Sequence, residues 1–348
     1  MELDCAQFFS TVKLIEDIPD YLSALPGIGD HIAGLDNLDS FDLQNLSNTA
    51  WAFATSGMSN PKLFRMIGGH VAGLDSLDSF KPQDASITAW AYATARLFNP
   101  RLFEKLATEM PARKDHFHGQ AVANFLWACA TVGYTDERLF AAFAPLIASK
   151  LDECSEQDLA NIAWAYSVEN APQDLFNEGY ASAIASKEKD FSAEELLQLH
   201  QWQLWQQELE SGIELPRSLR AKCRNAFTSQ GYSESKLQND VVGELKAAGL
   251  DLEEEVLLGS GYRIDALVKF SDGRIVAVEV DGPSHFIDRR PTGSTILKHR
   301  QVARLDRIEV VSVPFWEWEK LKNSEMKQHY LRVKLSNGQN CKSSNSMK

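Results

Sequence analysis
The chain has 348 residues, 44% of them hydrophobic, and a formal net charge of −13. This length exceeds one compact core and predicts two domains, and no run nears the roughly 18 to 20 apolar residues of a membrane helix, so no membrane partner is expected. The five cysteines (Cys5, Cys129, Cys154, Cys223, Cys341) are scattered and never spaced C-x-x-C, which argues against a disulfide framework or zinc site and fits a reducing compartment.

The first stretch, MELDCAQFFSTVKLIEDIPDYL, is acidic and lacks the Arg- and Ser-rich character of an organelle transit peptide. Charge is divided unevenly. Residues 1–210 hold 13 Lys and Arg against 30 Asp and Glu, and residues 211–348 hold 22 against 18, so the halves carry −17 and +4. Two electrostatically different bodies are joined.

A repeat dominates the first half. FDLQNLSNTAWAFATSG at 41, FKPQDASITAWAYATAR at 80, FHGQAVANFLWACATVG at 117 and CSEQDLANIAWAYSVEN at 154 align without gaps, placing Trp51, Trp90, Trp127 and Trp164 at spacings of 39, 37 and 37. Each block is followed by a Leu-Phe pair: Leu63-Phe64, Leu102-Phe103, Leu139-Phe140 and Leu175-Phe176. A period of this size predicts a stacked array of helix pairs, because one pair cannot bury its apolar face alone. Leu46, Ala50, Phe53 and Ala54 fall at helical spacing, as do Val122, Leu126, Cys129 and Ala130, and the tryptophans read as core. A weaker copy begins at Phe191, where the array is expected to end near residue 210. The Gly-rich GIGDHIAG at 27–34 suggests a phosphate cradle, but IGDHIAGLDNLDSF recurs as IGGHVAGLDSLDSF 39 residues later, so it belongs to the repeat. No kinase signature accompanies it.

The pattern F-x-x-Q-x-x-x-N/T-x-x-W-A-x-A resembles the octotricopeptide-like helical repeats of organelle RNA-regulating proteins, including those related to the FAST-kinase-domain family. This resemblance implies single-stranded RNA along one face of the array, with Asn48, Asn124 and Asn161, which share one repeat position, as candidates to reach base edges. A charge of −17 argues the other way, toward a scaffold that binds other proteins.

Residues 211–234 read as a junction holding a basic helix between Pro216 and Gly231. The second domain, 235–335, follows in the order αβββαβα. A helix over Ser235–Leu250 carries Leu237, Val241, Val242 and Leu245 on one stripe. Strands follow at EEEVLL, YRIDALVKF and RIVAVEVDG, then a helix through ILKHRQVARLD, a strand at IEVVSVPF and a last helix over WEWEKLKNSEMKQHYLRV. Residues 336–348 read as a disordered tail.

Glu279 and Asp281 stand inside an otherwise buried-strand pattern, IVAVEVDGPSHF. The turn Ser271-Asp272-Gly273 predicts a hairpin, and a three-residue loop centred on Asp272 sets Asp265 opposite Glu279. Strand alternation then puts Asp265, Glu279 and Asp281 on one face. A two-residue loop would instead face Asp265 with Val280. Like charges in that arrangement need a cation or basic neighbours.

The constellation D-(x13)-E-x-D on adjacent strands resembles the PD-(D/E)XK nuclease fold. The resemblance implies Mg²⁺ held by Asp265, Glu279 and Asp281 and a catalytic lysine; Asp281 occupies the usual lysine place, and Lys298 on the next helix is the candidate to replace it. A second resemblance is closer. Glu279, Asp281, Gly282, Pro283, His285 and Phe286, then Gly293, Thr295, Leu297, Lys298, Arg300 and Leu305, then Pro314, Phe315, Glu317 and Trp318 follow the pattern of the RAP domain, the RNA-binding domain abundant in apicomplexans. It implies an RNA-associated protein of mitochondrion or plastid, with helical repeats upstream.

The expected architecture is therefore an all-α helical-repeat solenoid followed by an α/β restriction-endonuclease-like domain with an αβββαβ core. Arg300, Arg304 and Arg307 fall on one helix face and, with Arg289, Arg290, Lys298 and His285, form the candidate RNA-binding patch beside the acids. The expected function is RNA binding in organelle RNA processing, stability or translation. The alternatives are a metal-dependent endonuclease and a scaffold whose acidic repeats recruit a basic protein.

Overall fold
The computed structural model describes residues 19–231 and 235–337. The acidic stretch before residue 19 and residues 338–348 of the expected 336–348 tail lie outside the described residues, while 336 and 337 belong to the last helix. The chain divides into two compact units, residues 1–175 and 176–348.

The first unit is helical: α1 (Pro19–Ala33), α2 (Leu43–Thr55), α3 (Pro61–Gly73), α4 (Pro82–Thr94), α5 (Pro100–Glu109), α6 (Gly119–Thr131), α7 (Glu137–Ala148) and α8 (Glu156–Glu169). Helix starts are written in the sequence. Asp42, Asn60, Asn99, Asp136 and Ser155 each accept a backbone N–H in the first turn, and α3, α4 and α5 open on a proline whose missing donor costs nothing there. The four Trp-bearing helices α2, α4, α6 and α8 pack each against the next.

Burial follows the repeat. Leu63, Phe64, Leu102, Phe103, Leu139 and Phe140 are buried, each worth about 1.5–3 kcal/mol in removed apolar surface. Tyr92 and Tyr166, two positions after their tryptophans, donate their hydroxyls to the carbonyls of Phe64 and Phe140 and so tie one helix pair to the next. Trp51 and Trp164 are buried, Trp90 and Trp127 half-buried, and the rings of Trp127 and Trp164 lie 6.5 Å apart. This supports their reading as core. The asparagine position is uneven: Asn48 is exposed, Asn124 half-buried and Asn161 buried.

The repeated Ile-Gly pair has a packing cause. A Cβ on Gly68 would stand 2.6 Å from the Tyr92 hydroxyl and 2.5 Å from Asn99 Nδ2, and one on its counterpart Gly29 would stand 2.4 Å from the Phe53 ring. Glycine is there because a neighbouring side chain occupies the space.

The second unit contains α9 (Glu178–Ser186), α10 (Ala193–Glu208), α11 (Arg217–Thr228), α12 (Lys236–Ala247), β1 (Asp251–Leu257), β2 (Arg263–Lys269), β3 (Ile275–Asp281), β4 (Phe286–Ile287), β5 (Arg290–Pro291), α13 (Gly293–Gln301) leading into a π turn (Val302–Asp306), β6 (Glu309–Pro314), α14 (Phe315–Trp318) and α15 (Ser324–Asn337). The main sheet runs β1-β2-β3-β6, antiparallel except for the parallel β3/β6 pair. One face, with Ala266, Val268, Val276, Val278, Val280, Val311 and Val313, packs on α12 through Val241, Val242 and Leu245 and on α15 through Leu331 and Leu335. The other face, with Leu267 and Ala277, packs on Leu204 of α10 and Val302 of the π turn. Helix α10, which the repeat array was expected to include, thus helps cover this sheet.

One expectation about the second domain needs correction, and one element was unforeseen. The last helix is broken between Trp318 and Ser324, because Asn323 accepts the Met326 N–H and starts a new helix, while Trp318 is anchored by its indole N–H to Asp240 at 2.7 Å. A small β4/β5 hairpin, unforeseen from the pattern, follows β3. Its two central residues, Asp288 and Arg289, both take positive φ, of 48° and 65°. No helix among the described residues is long and apolar enough to cross a membrane.

Candidate functional site
The hairpin register decides where the acids go. Ala266 pairs with Val278 and Leu267 with Ala277, so the next step sets Asp265 opposite Glu279, as the three-residue loop requires. Gly273 takes the positive φ of 85° that this loop needs. Odd-numbered positions of β3 share the sheet face covered by α13. Asp265, Glu279 and Asp281 therefore meet beneath one helix.

Each carboxylate has its own partner. Asp265, half-buried, accepts the Val280 N–H at 2.6 Å. Glu279, 1% exposed, receives Lys298 Nζ at 2.6 Å on Oε2, while its buried Oε1 meets no donor among the described residues. Lys298 thus reaches the acids from the neighbouring helix. Asp281 is fully buried and accepts the Ser312 hydroxyl from β6. His285 Nδ1 lies 2.8 Å from Asp281 Oδ1, and His299 Nε2 lies 3.8 Å from Oδ2.

Burial and these partners set the protonation. Burial pushes the Glu279 carboxyl up to about 8, against the pull of the Lys298 ammonium and with the push of Asp265 and Asp281. Burial likewise raises Asp265, opposed by the Val280 N–H. For Asp281 burial also acts upward, but the His285 ring and the Ser312 hydroxyl together outweigh it and hold the carboxyl below its ordinary value. Burial lowers His299, which favours its neutral ring.

A cavity of about 580 Å³ opens beside this cluster. Asp265, Glu279, Lys298 and His285 line it together with Arg263 and Gln201. It presents cationic donors, carboxylate acceptors and a histidine beside an acid, a set able to grip a phosphate or a polar base edge and to relay a proton.

The proposed metal site fares differently. Among the described residues no group of three or more His, Cys, Asp or Glu side chains is disposed to hold a metal ion. The physical reason is that Lys298 already supplies the positive charge at Glu279, while Asp265 and Asp281 are turned to a backbone N–H and to a hydroxyl and imidazoles. Asp265, Glu279 and Asp281 lie on one face as expected, each with a protein partner.

The basic patch is also redistributed. Arg300 Nε and Arg304 Nη1 both lie 3.1 Å from Glu208 Oε2, a carboxylate at the end of α10 whose side chain is fully buried. Arg300 itself is largely buried, so it holds α10 to the sheet domain instead of facing solvent. Arg304 is half exposed beside the same acid. Arg289, Arg290 and Arg307 are exposed, the first two at the β4/β5 hairpin and the third just past the π turn. Four residues were missed by the sequence reading: Arg263, Ser312, His299 and Glu208. His299 adjoins Lys298 and carried a signal by residue type; Ser312 and Glu208 carried none, because their roles depend on strand and helix neighbours remote in the chain.

Phe315 and Trp316, at the start of α14, are half-buried and pack with Phe286, whose ring centre is 4.2 Å from that of Trp316. Trp318 is core. Residues 278–334, from β3 into α15, match the family model described as the RAP domain. The chain carries a RAP domain. The RAP match takes in Glu279, Asp281, His285 and Lys298, while β1 and β2, which complete the sheet, and α12, which covers one face, lie before it. A RAP domain is a module associated with RNA binding, and the helical repeats upstream precede it in the first unit.

Proposed function
We propose that the protein binds single-stranded RNA through its RAP domain and acts in processing, stability or translation of mitochondrial or plastid transcripts. The observation that carries this reading is the RAP match at residues 278–334, together with the cavity of about 580 Å³ holding Lys298, His285 and Arg263. The exposed Arg289 and Arg290 on the adjoining hairpin add the positive charge that phosphates require. Binding without bond cleavage is the form proposed, with Lys298 Nζ at 2.6 Å from Glu279 Oε2.

The test is titration of the full chain with a fluorescent single-stranded RNA across roughly 50 to 200 mM salt. Replacing Arg289 and Arg290 by Ala is expected to lower the salt slope by about 0.7 for each phosphate that is no longer neutralised. An unchanged slope would remove the hairpin from the RNA interface. Labelled RNA incubated with Mg²⁺ or Mn²⁺ should stay intact; cleavage that disappears in Glu279→Ala would restore the nuclease reading. The −17 of residues 1–210 favours a second role for that region, association with a basic protein, which pull-down competition by polylysine would test. Cell fractionation tests the organelle assignment.

A further inference from the structure
A second cavity, of about 490 Å³, lies away from the acids in the same unit, between α10, α11, the Gly259-Ser260 loop and the π turn. Its size is that of a small-ligand site. One wall is a guanidinium stripe: Arg217, Arg220 and Arg224 fall at i, i+3 and i+7 on α11 and all line the cavity. The floor is apolar, built by Leu204, Leu215 and Leu305. On the far side Asp306 accepts the Ser260 N–H at 3.0 Å with Oδ1, while its Oδ2 is buried and meets no donor among the described residues.

These features ask for different parts of one ligand. Arginine forks match a phosphate, and a flat ring suits the floor. A buried carboxylate oxygen without a donor is costly and calls for a hydroxyl or amine. Arg220 does pair with Glu214 at 2.7 Å and Arg224 donates to the Gly259 carbonyl at 3.0 Å, but the Arg220–Glu214 pair is solvent-exposed enough to exchange for a phosphate at little cost. Arg217 is exposed at the cavity mouth.

We infer that this cavity binds a ribonucleotide, with phosphate on Arg217, Arg220 and Arg224, the base on the leucine floor and a ribose hydroxyl on Asp306. The ligand is either a free nucleotide or one residue of an RNA strand. The site uses none of the RAP cavity's residues, so Lys298 and hairpin variants leave it intact and the two readings fail separately.

The experiment titrates the full chain with adenosine and uridine 5′-monophosphate, their 2′-deoxy forms, inorganic phosphate and a 5′-phosphorylated octauridylate. Arg217→Gln with Arg220→Gln should weaken binding at least tenfold, and the exposed Arg217→Glu should do so without risk to folding. Loss for the mononucleotides alone assigns a free nucleotide; loss for the octamer assigns an RNA strand. The 2′-deoxy forms should bind about tenfold more weakly than the ribonucleotides, and Asp306→Asn should narrow that gap. The inference is overturned if no nucleotide or octamer binding responds to the arginine variants, or if inorganic phosphate competes as well as the mononucleotides.

Discussion

Lys298 Nζ stands 2.6 Å from Glu279 Oε2, joining a helix cation to a strand carboxylate that is almost wholly shielded from water. Removing one partner of such a pair leaves a buried charge uncompensated, whereas replacing both does not. Above about pH 8, where the Glu279 carboxyl is ionised, Lys298→Ala is expected to lower unfolding free energy by about 3 kcal/mol, and Lys298→Met combined with Glu279→Gln should recover most of it. Urea denaturation of the wild type, Lys298→Ala, Lys298→Met, Glu279→Gln and the double variant measures this; an additive double variant would mean the two side chains are not coupled.

The raised Glu279 carboxyl gives a pH dependence of definite sign. Its ordinary value is 4.5 and its folded value about 8, so between these the folded chain keeps a proton the unfolded chain has released. Stability from this group is complete below 4.5 and is lost as pH rises through about 8. The wild type should therefore lose more stability than Glu279→Gln between about pH 5 and about pH 8, read as the difference in urea midpoints. Parallel profiles would show that Glu279 keeps its proton equilibrium on folding.

Two arginines meet one oxygen of Glu208, but not equally. Arg300 is mostly buried and Arg304 half exposed, so Arg300→Ala should cost about 3 kcal/mol and Arg304→Ala less than about 1 kcal/mol. Thermal unfolding of the two variants tests the order. Equal losses would contradict the structural role given to Arg300.

In α3, adjacent glycines should respond in opposite directions. Gly68→Ala drives a methyl into Tyr92 and Asn99 and is expected to destabilise by about 1–3 kcal/mol. Gly69→Ala meets nothing within 4 Å on an exposed helix position and should stabilise by about 0.5–1 kcal/mol. Chemical denaturation of both checks the repeat packing.

Much of this protein could be read along the chain. The 37- to 39-residue Trp spacing determined the stacked helix pairs, since only neighbouring copies can bury such faces. Alternation in β2 and β3 left two loop lengths open, and the observed pairing, with Gly273 at positive φ, is the one that sets Asp265 opposite Glu279. Tertiary structure decided what those acids are bonded to. Lys298 and Ser312 arrive from other elements, α13 and β6, and the pairing of Glu279 with a lysine follows from where α13 lies on the sheet. It likewise withdrew Arg300 from solvent. A helix pattern shows which residues share a stripe, but whether that stripe meets water or a buried carboxylate such as Glu208 depends on a segment 92 residues away in the sequence.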